Sequence, residues 1–212
     1  MESIQQVKNR IGSIAGTRQI TQSMRLVSTA KLQRVRDRMA GNREFYAEAG
    51  RIVRAAAAEP DARGHRFVRL REAPRAAGLS CLLVVGGDRG LCGGYTTNVC
   101  RDAQALIREL GAVRLVTVGQ KVREFFLRRR RQEGVARSFM GISETPFFED
   151  AEEIAACVLD WFERGEIDAV YLVYTHFENM LSLRPERKLL LPLGAADAET
   201  LANQTEPQEA MN

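Results

Sequence analysis

The chain has 212 residues, enough for one good core with an appendage or for two small domains. Its 45% hydrophobic and 27% charged content is ordinary for a globular protein and excludes a low-complexity or fibrous chain. The net charge of +4 is unevenly placed: residues 1–58 hold eleven Lys/Arg against four Asp/Glu, or +7, which leaves −3 for the rest.

The first predicted element covers residues 3–58, a stretch without proline. Ser3, with Gln6 three places on, predicts a capping box. Ile4, Val7, Ile11 and Ile14 then trace a narrow helical seam. The pattern slips and resumes as Ile20, Met24 and Val27, and again as Leu32, Val35 and Met39. The run "AAAAEP" ends it at Pro60. One helix of about 55 residues would be roughly 80 Å long. The alternative is two amphipathic helices folded back at Gly41. A helix this long with a thin apolar stripe needs a partner along most of its length.

Residues 60–78 read as a linker. Beyond them "GLSCLLVV" predicts a buried strand, "YTTNVCRDAQALIREL" an amphipathic helix, "AVRLVTVG" a strand and "QKVREFFLRRRR" a helix. After a second loop come a helix over 147–167, a strand over 168–177 and a short strand "KLLLPL". Apolar strands alternating with helices imply an α/β fold with an open, mostly parallel, Rossmann-like sheet covered on both faces, at residues 79–193. The acidic stretch 194–212 has little to bury and is expected to be disordered. No signal peptide is expected at the N-terminus, and no run approaches a membrane span.

The glycine-rich turn "GGDRGLCGGY" after the first strand raises the question of phosphate binding. Glycines at 86, 87, 90, 93 and 94 fit neither GxGxxG nor GxxxxGK, and Asp88 would put a negative charge where a phosphate should sit. The turn therefore reads as close strand–helix packing, with Asp88 and Arg89 as a possible subunit contact. No catalytic or metal-ligating set emerges. Cys81, Cys92, Cys100 and Cys157 form no CxxC pair, and His65 and His176 lie in the linker and at a strand end. The carboxylates at 149–153 read as acid enrichment at a helix start, and the arginines at 128–131 as a helix end. Composition and spacing thus predict a non-enzyme without cofactor or metal.

"MESIQQVKNRIGSIAGTRQITQSMRLVSTAKLQRVR" resembles the opening of the gamma subunit of F-type ATP synthases, through Thr17, Gln19, Ile20, Thr21, Met24, Val27, Ala30, Lys31, Leu32 and Arg34. "GDRGLCGGYTTN" matches that family's glycine turn, here Asp88, Arg89, Gly90, Leu91, Gly93 and Gly94. "HFENMLSLRPERKLLLPL" is similar to the closing section of its α/β domain. The resemblance implies a central-stalk rotor on the cytoplasmic face of the membrane, peripheral to it. The helix would be half of a coiled-coil stalk inside a ring of alpha and beta subunits, and the α/β domain would stand on the membrane c-ring with the epsilon subunit. Catalysis, nucleotides and nucleic acid would all lie elsewhere. It also implies subunit contact near Ile20, Met24, Val27 and Lys31, residues whose spacing alone would suit any partner helix. The family continues into a second, antiparallel long helix, whereas this sequence stops at Asn212. The seam is therefore expected to lack an intramolecular partner. Ten half-buried side chains would forgo about 10–15 kcal/mol, so the chain is expected to fray, aggregate or need another subunit. The competing reading is a basic-helix protein that binds nucleic acid or an RNA–protein assembly. A small-molecule enzyme on the same fold is a third reading, supported by fold alone.

Overall fold

The computed structural model describes residues 3–68, 78–129, 134–177 and 182–193. The predicted tail at 194–212, part of the linker and two of the four arginines at 128–131 lie outside them. The chain divides into two compact units, one holding the first 53 residues and the other beginning at Arg54.

Helix α1 runs unbroken from Ile4 to Ala58, so the chain does not fold back at Gly41. Its start is the capping box read from the sequence. The Ser3 N–H donates to Gln6 Oε1 at 2.9 Å, and the Gln6 N–H donates to Ser3 Oγ at 3.3 Å. No residue of α1 is buried. The hydroxyls of Thr17, Thr21, Ser23 and Thr29 donate back to carbonyls four residues earlier, at 2.9–3.1 Å. These polar groups are satisfied within the helix itself.

The second unit carries a five-stranded sheet. In chain order it comprises β1 (Ser80–Val85), α2 (Tyr95–Leu110), β2 (Val113–Val118), α3 (Gln120–Arg129), β3 (Val135–Phe139), α4 (Phe148–Glu163), β4 (Ala169–Phe177) and β5 (Leu183–Leu191). The spatial order is β3-β2-β1-β4-β5. All neighbours are parallel except β4 and β5, which are antiparallel. Strand β3 lies where the sequence predicts a loop, and β5 begins five residues before the predicted strand at Lys188. Strand β3 is an edge strand with Ala136 and Arg137 exposed, so it lacks the apolar run of the central strands. The beginning of β5 carries Arg184, Pro185 and Glu186; proline is tolerated there because the strand lies at the other edge.

Burial on both faces explains the unbroken apolar run of β1. Leu82 and Val84 face α2 and α3, joining Val99, Ala103, Ile107, Val122 and Phe126 in one core. Cys81 and Leu83 face the other way, with Val158 of α4, Val116, Phe139 and Ile167. Arg187 fastens β5 to α2, reaching both Asp102 oxygens at 2.8 and 2.9 Å and Glu109 at 2.9 Å. The Asp150 carboxylate caps α4 by accepting the Phe147 N–H at 2.8 Å, the use expected of acid at a helix start.

Cysteine chemistry follows from this packing. Cys81 and Cys100 are fully buried, Cys157 is half-buried and Cys92 is exposed. Burial, with a smaller push from Cys157 and slight relief from Arg114, raises the Cys81 thiol to about 12; burial also raises Cys157. Maleimide labelling of the folded full chain, read by mass spectrometry, should therefore modify Cys92 first, and the other three only after denaturation.

Candidate functional site

Two regions carry the residues singled out by the sequence, and each is described separately. In α1 a heptad frame set by Ile4, Val7, Ile11 and Ile14 continues in phase to Leu32, Val35, Met39, Tyr46 and Val53. Between these apolar stretches the same frame holds Arg18, Thr21, Arg25 and Ser28. In this polar window the apolar side chains move to another face: Ile20, Met24 and Val27, followed by Lys31, lie roughly 110° round the helix from the local frame at about 100° per residue. They are well exposed, at 63%, 49% and 58% for Ile20, Met24 and Val27. Helix α1 thus presents a seam suited to a companion helix and, separately, a short apolar patch on a different face.

The second region is the rim at the carboxyl ends of β1, β2 and β3. Here the chain turns at Gly86 and Gly87, and β2 ends at Gly119, which has a positive φ of 105°. The glycines permit close approach: a Cβ on Gly119 would lie 2.6 Å from the Gly86 carbonyl oxygen and 2.9 Å from that of Gly87. The Gly86 N–H donates to Val118 O, and the Lys121 N–H to Gly87 O. Asp88 then reaches across. Its Oδ1 accepts the Gln120 N–H at 2.8 Å, at the start of α3, and the Gly141 N–H at 2.9 Å. Its Oδ2 accepts the Ser143 N–H at 3.0 Å and the Ser143 hydroxyl at 2.6 Å.

These bonds decide the protonation of Asp88. Partial burial pushes its pKa up, but the Ser143 hydroxyl and the Gly141, Gln120 and Ser143 amides outweigh that and hold it at about 2. Because the folded value lies below the unfolded one, the resulting stability is complete above pH ~5 and is lost as the pH falls through about 2. Solvent screening limits it to about 1 kcal/mol. Acid titration of wild type should therefore show a loss below pH 4 that is reduced in Asp88→Asn.

The rest of the glycine motif faces outward. Arg89 pairs with Glu144. Leu91 has a positive φ of 62° and is 93% exposed, a conformation that is costly for leucine. Gly93, at φ 57°, and Gly94 complete the turn into α2. A cleft of about 400 Å³ beside the turn is lined by Arg89, Gly90, Cys92, Thr96, Lys121, Glu124 and Arg128 among others. Lys121 and Arg128 pair with Glu124 at 2.9 and 3.8 Å, so the cations lining it have carboxylate partners inside the protein. The place where an α/β sheet offers a helix N-terminus to a phosphate is taken by the protein's own carboxylate.

Asp88 of the glycine motif is thus bonded within its own domain. Its partners, 32 to 55 residues away, gave no local signal. His65 and His176 stand apart: His65 stacks edge-on to Phe67, with ring centres 5.2 Å apart, and His176 lies 3.3 Å from Glu186. Among the described residues no cluster of His, Cys, Asp or Glu is suited to a metal, and no helix is long and apolar enough to cross a membrane.

Comparison with known proteins agrees with the motifs. A family model described as ATP synthase matches residues 3–212. The ATP synthase gamma chain of Pelotomaculum thermopropionicum is 35% identical over 207 residues, covering 97% of this chain and 71% of that one. The sodium ion specific ATP synthase gamma chain of Acetobacterium woodii is 36% identical over 203 residues, covering 94% and 64%. Among solved structures, the central stalk/c-ring of the Tetrahymena thermophila mitochondrial ATP synthase overlaps 82% of this chain and 79% of that one, at 21% identity and a TM-score of 0.49. The chain belongs to the ATP synthase gamma chain family.

Proposed function

We propose that this chain is the central rotor of an ATP synthase, coupling ion flow through a membrane ring to ATP synthesis and hydrolysis on surrounding alpha and beta subunits. The observation that carries the reading is α1 itself: 55 residues of helix with no buried side chain, in a gamma chain relative. A helix left so bare is built to lie against other molecules. The seam suits a companion helix. The patch at Ile20, Met24 and Val27, with Lys31, suits a sliding contact with the catalytic ring, because it is small and bordered by cations rather than broad and apolar. The basic charge of α1 favours acidic partner loops and speeds their encounter.

In this reading the chain is non-catalytic. The α/β domain is a rigid mount, standing with the epsilon subunit on the c-ring at the cytoplasmic face, and peripheral to the membrane. Asp88 and Arg89 serve that rigidity first; any contact with another subunit would fall to the outward-facing Leu91 turn. The coupling ion is selected in the membrane ring, and one relative is named for sodium. The nucleic-acid reading gains nothing from the relatives. Co-expression with the alpha and beta subunits of an ATP synthase tests the proposal. The chain should co-purify with both and survive moderate salt. Salt-sensitive binding to nucleic acid, with no alpha or beta retained, would refute it.

A further inference from the structure

We propose that Asp88 is a positioning residue, an internal anion that fastens the rim of the α/β domain by seating its carboxylate in a cradle of donors from two other chain segments. The cradle consists of the Gln120 N–H at the start of α3, the Gly141 N–H after β3, and the N–H and hydroxyl of Ser143. Each Asp88 oxygen accepts two of these four bonds, which only an ionised carboxylate does well. The Asp88 N–H returns a bond to Ser143 Oγ at 3.1 Å, so the two residues are linked in both directions. The inference does not depend on the rotor reading and would hold for the domain in any assembly.

What the cradle holds together is specific. The 89–94 turn and the β3–α4 loop carry Leu91, Met140 and Phe147, at 93%, 53% and 64% exposure, and Phe148 opens α4 at 73%. Besides the Asp88 bonds these two loops are joined by the Arg89–Glu144 pair, whose arginine is 74% exposed. An ion pair that open contributes little. Leu91 also needs its neighbours to hold an unfavourable backbone conformation. The Asp88 carboxylate is therefore the element that sets where these apolar side chains stand.

The test compares the wild-type full chain with Asp88→Ala, Asp88→Asn and Ser143→Ala by hydrogen exchange and by tryptic cleavage after Arg89. In Asp88→Ala the amides of Gln120, Gly141 and Ser143 should exchange about tenfold faster. Cleavage at Arg89–Gly90 should accelerate, while the central strands Leu82–Val84 and Leu115–Val118 keep their protection. Added acetate, supplying the missing carboxylate, should reverse both changes where chloride at equal ionic strength does not, and should leave the wild type unaffected. Asp88→Asn should fall between. Unchanged exchange in Asp88→Ala, acceleration spread equally over the central strands, or no acetate rescue would each overturn the proposal. Should Asp88→Ala fail to fold, Ser143→Ala carries the test: Gln120 and Gly141 must exchange faster there, and wild-type rates would overturn it.

Discussion

Gly119→Ala is expected to remove a large part of the stability of the α/β domain. At a φ of 105° an alanine is strained whatever the space around it, which costs about 1–3 kcal/mol. The added Cβ would also meet the Gly86 carbonyl carbon at 2.9 Å, besides the two carbonyl oxygens already within that distance. These are backbone atoms at the end of β1, and they cannot rotate aside as a side chain would. Relief requires separating β1 from β2, which breaks the Gly86 and Lys121 amide bonds as well. Overpacking of this kind adds about 1–3 kcal/mol, for a total near 2–6 kcal/mol in a domain whose whole stability is of order 5–15 kcal/mol. Gly111→Ala is the control. It too has a positive φ, 79°, but no atom lies within 4 Å of its Cβ, so strain acts alone. Urea titration of both variants should show a much larger midpoint shift for Gly119→Ala. Equal shifts would mean that the close approach of β1 and β2 has been misjudged.

The second large effect concerns function without stability. Ile20→Asp with Val27→Asp should leave the α/β domain melting as before, because both residues are exposed and lie in the other unit. Exposed substitutions of this sort usually change stability by less than about 0.5 kcal/mol. In the assembled synthase the same pair should cut ATP-driven ion pumping at least tenfold, roughly the effect of losing 1.4 kcal/mol at the coupling contact. Ile4→Asp with Ile11→Asp, on the heptad seam, should instead weaken assembly, because that face is the one proposed to take a companion helix. Pumping assays on inverted vesicles, alongside quantification of the assembled complex, separate the two outcomes. If both pairs affected assembly alone, the patch would merely be a displaced piece of the seam.

Much of the fold could be read in advance because its signals are local. The capping box at Ser3 and Gln6, the absence of proline and the ending at Pro60 give α1 its limits. The unbroken apolar run of β1 follows from burial on both faces. Strand β3 escaped because an edge strand needs only one buried face, and Val135–Phe139 offers little alternation. The rim was only half readable. The glycine motif marked the place, and the charge of Asp88 spoke against a phosphate there. Its true partners at Gln120, Gly141 and Ser143 come together only when three strands align. Arg187 likewise finds Asp102 and Glu109 across 78 to 85 residues, a distance at which no sequence periodicity operates.

The proposed rotor function requires this chain to turn inside the ring of alpha and beta subunits. Cys92, the exposed thiol, offers an attachment point for a visible probe. With alpha and beta subunits fixed to a surface and the chain labelled there, single-molecule imaging should show stepwise rotation in one direction that starts with ATP and stops without it. A probe that stays still while the same complexes hydrolyse ATP would contradict the account.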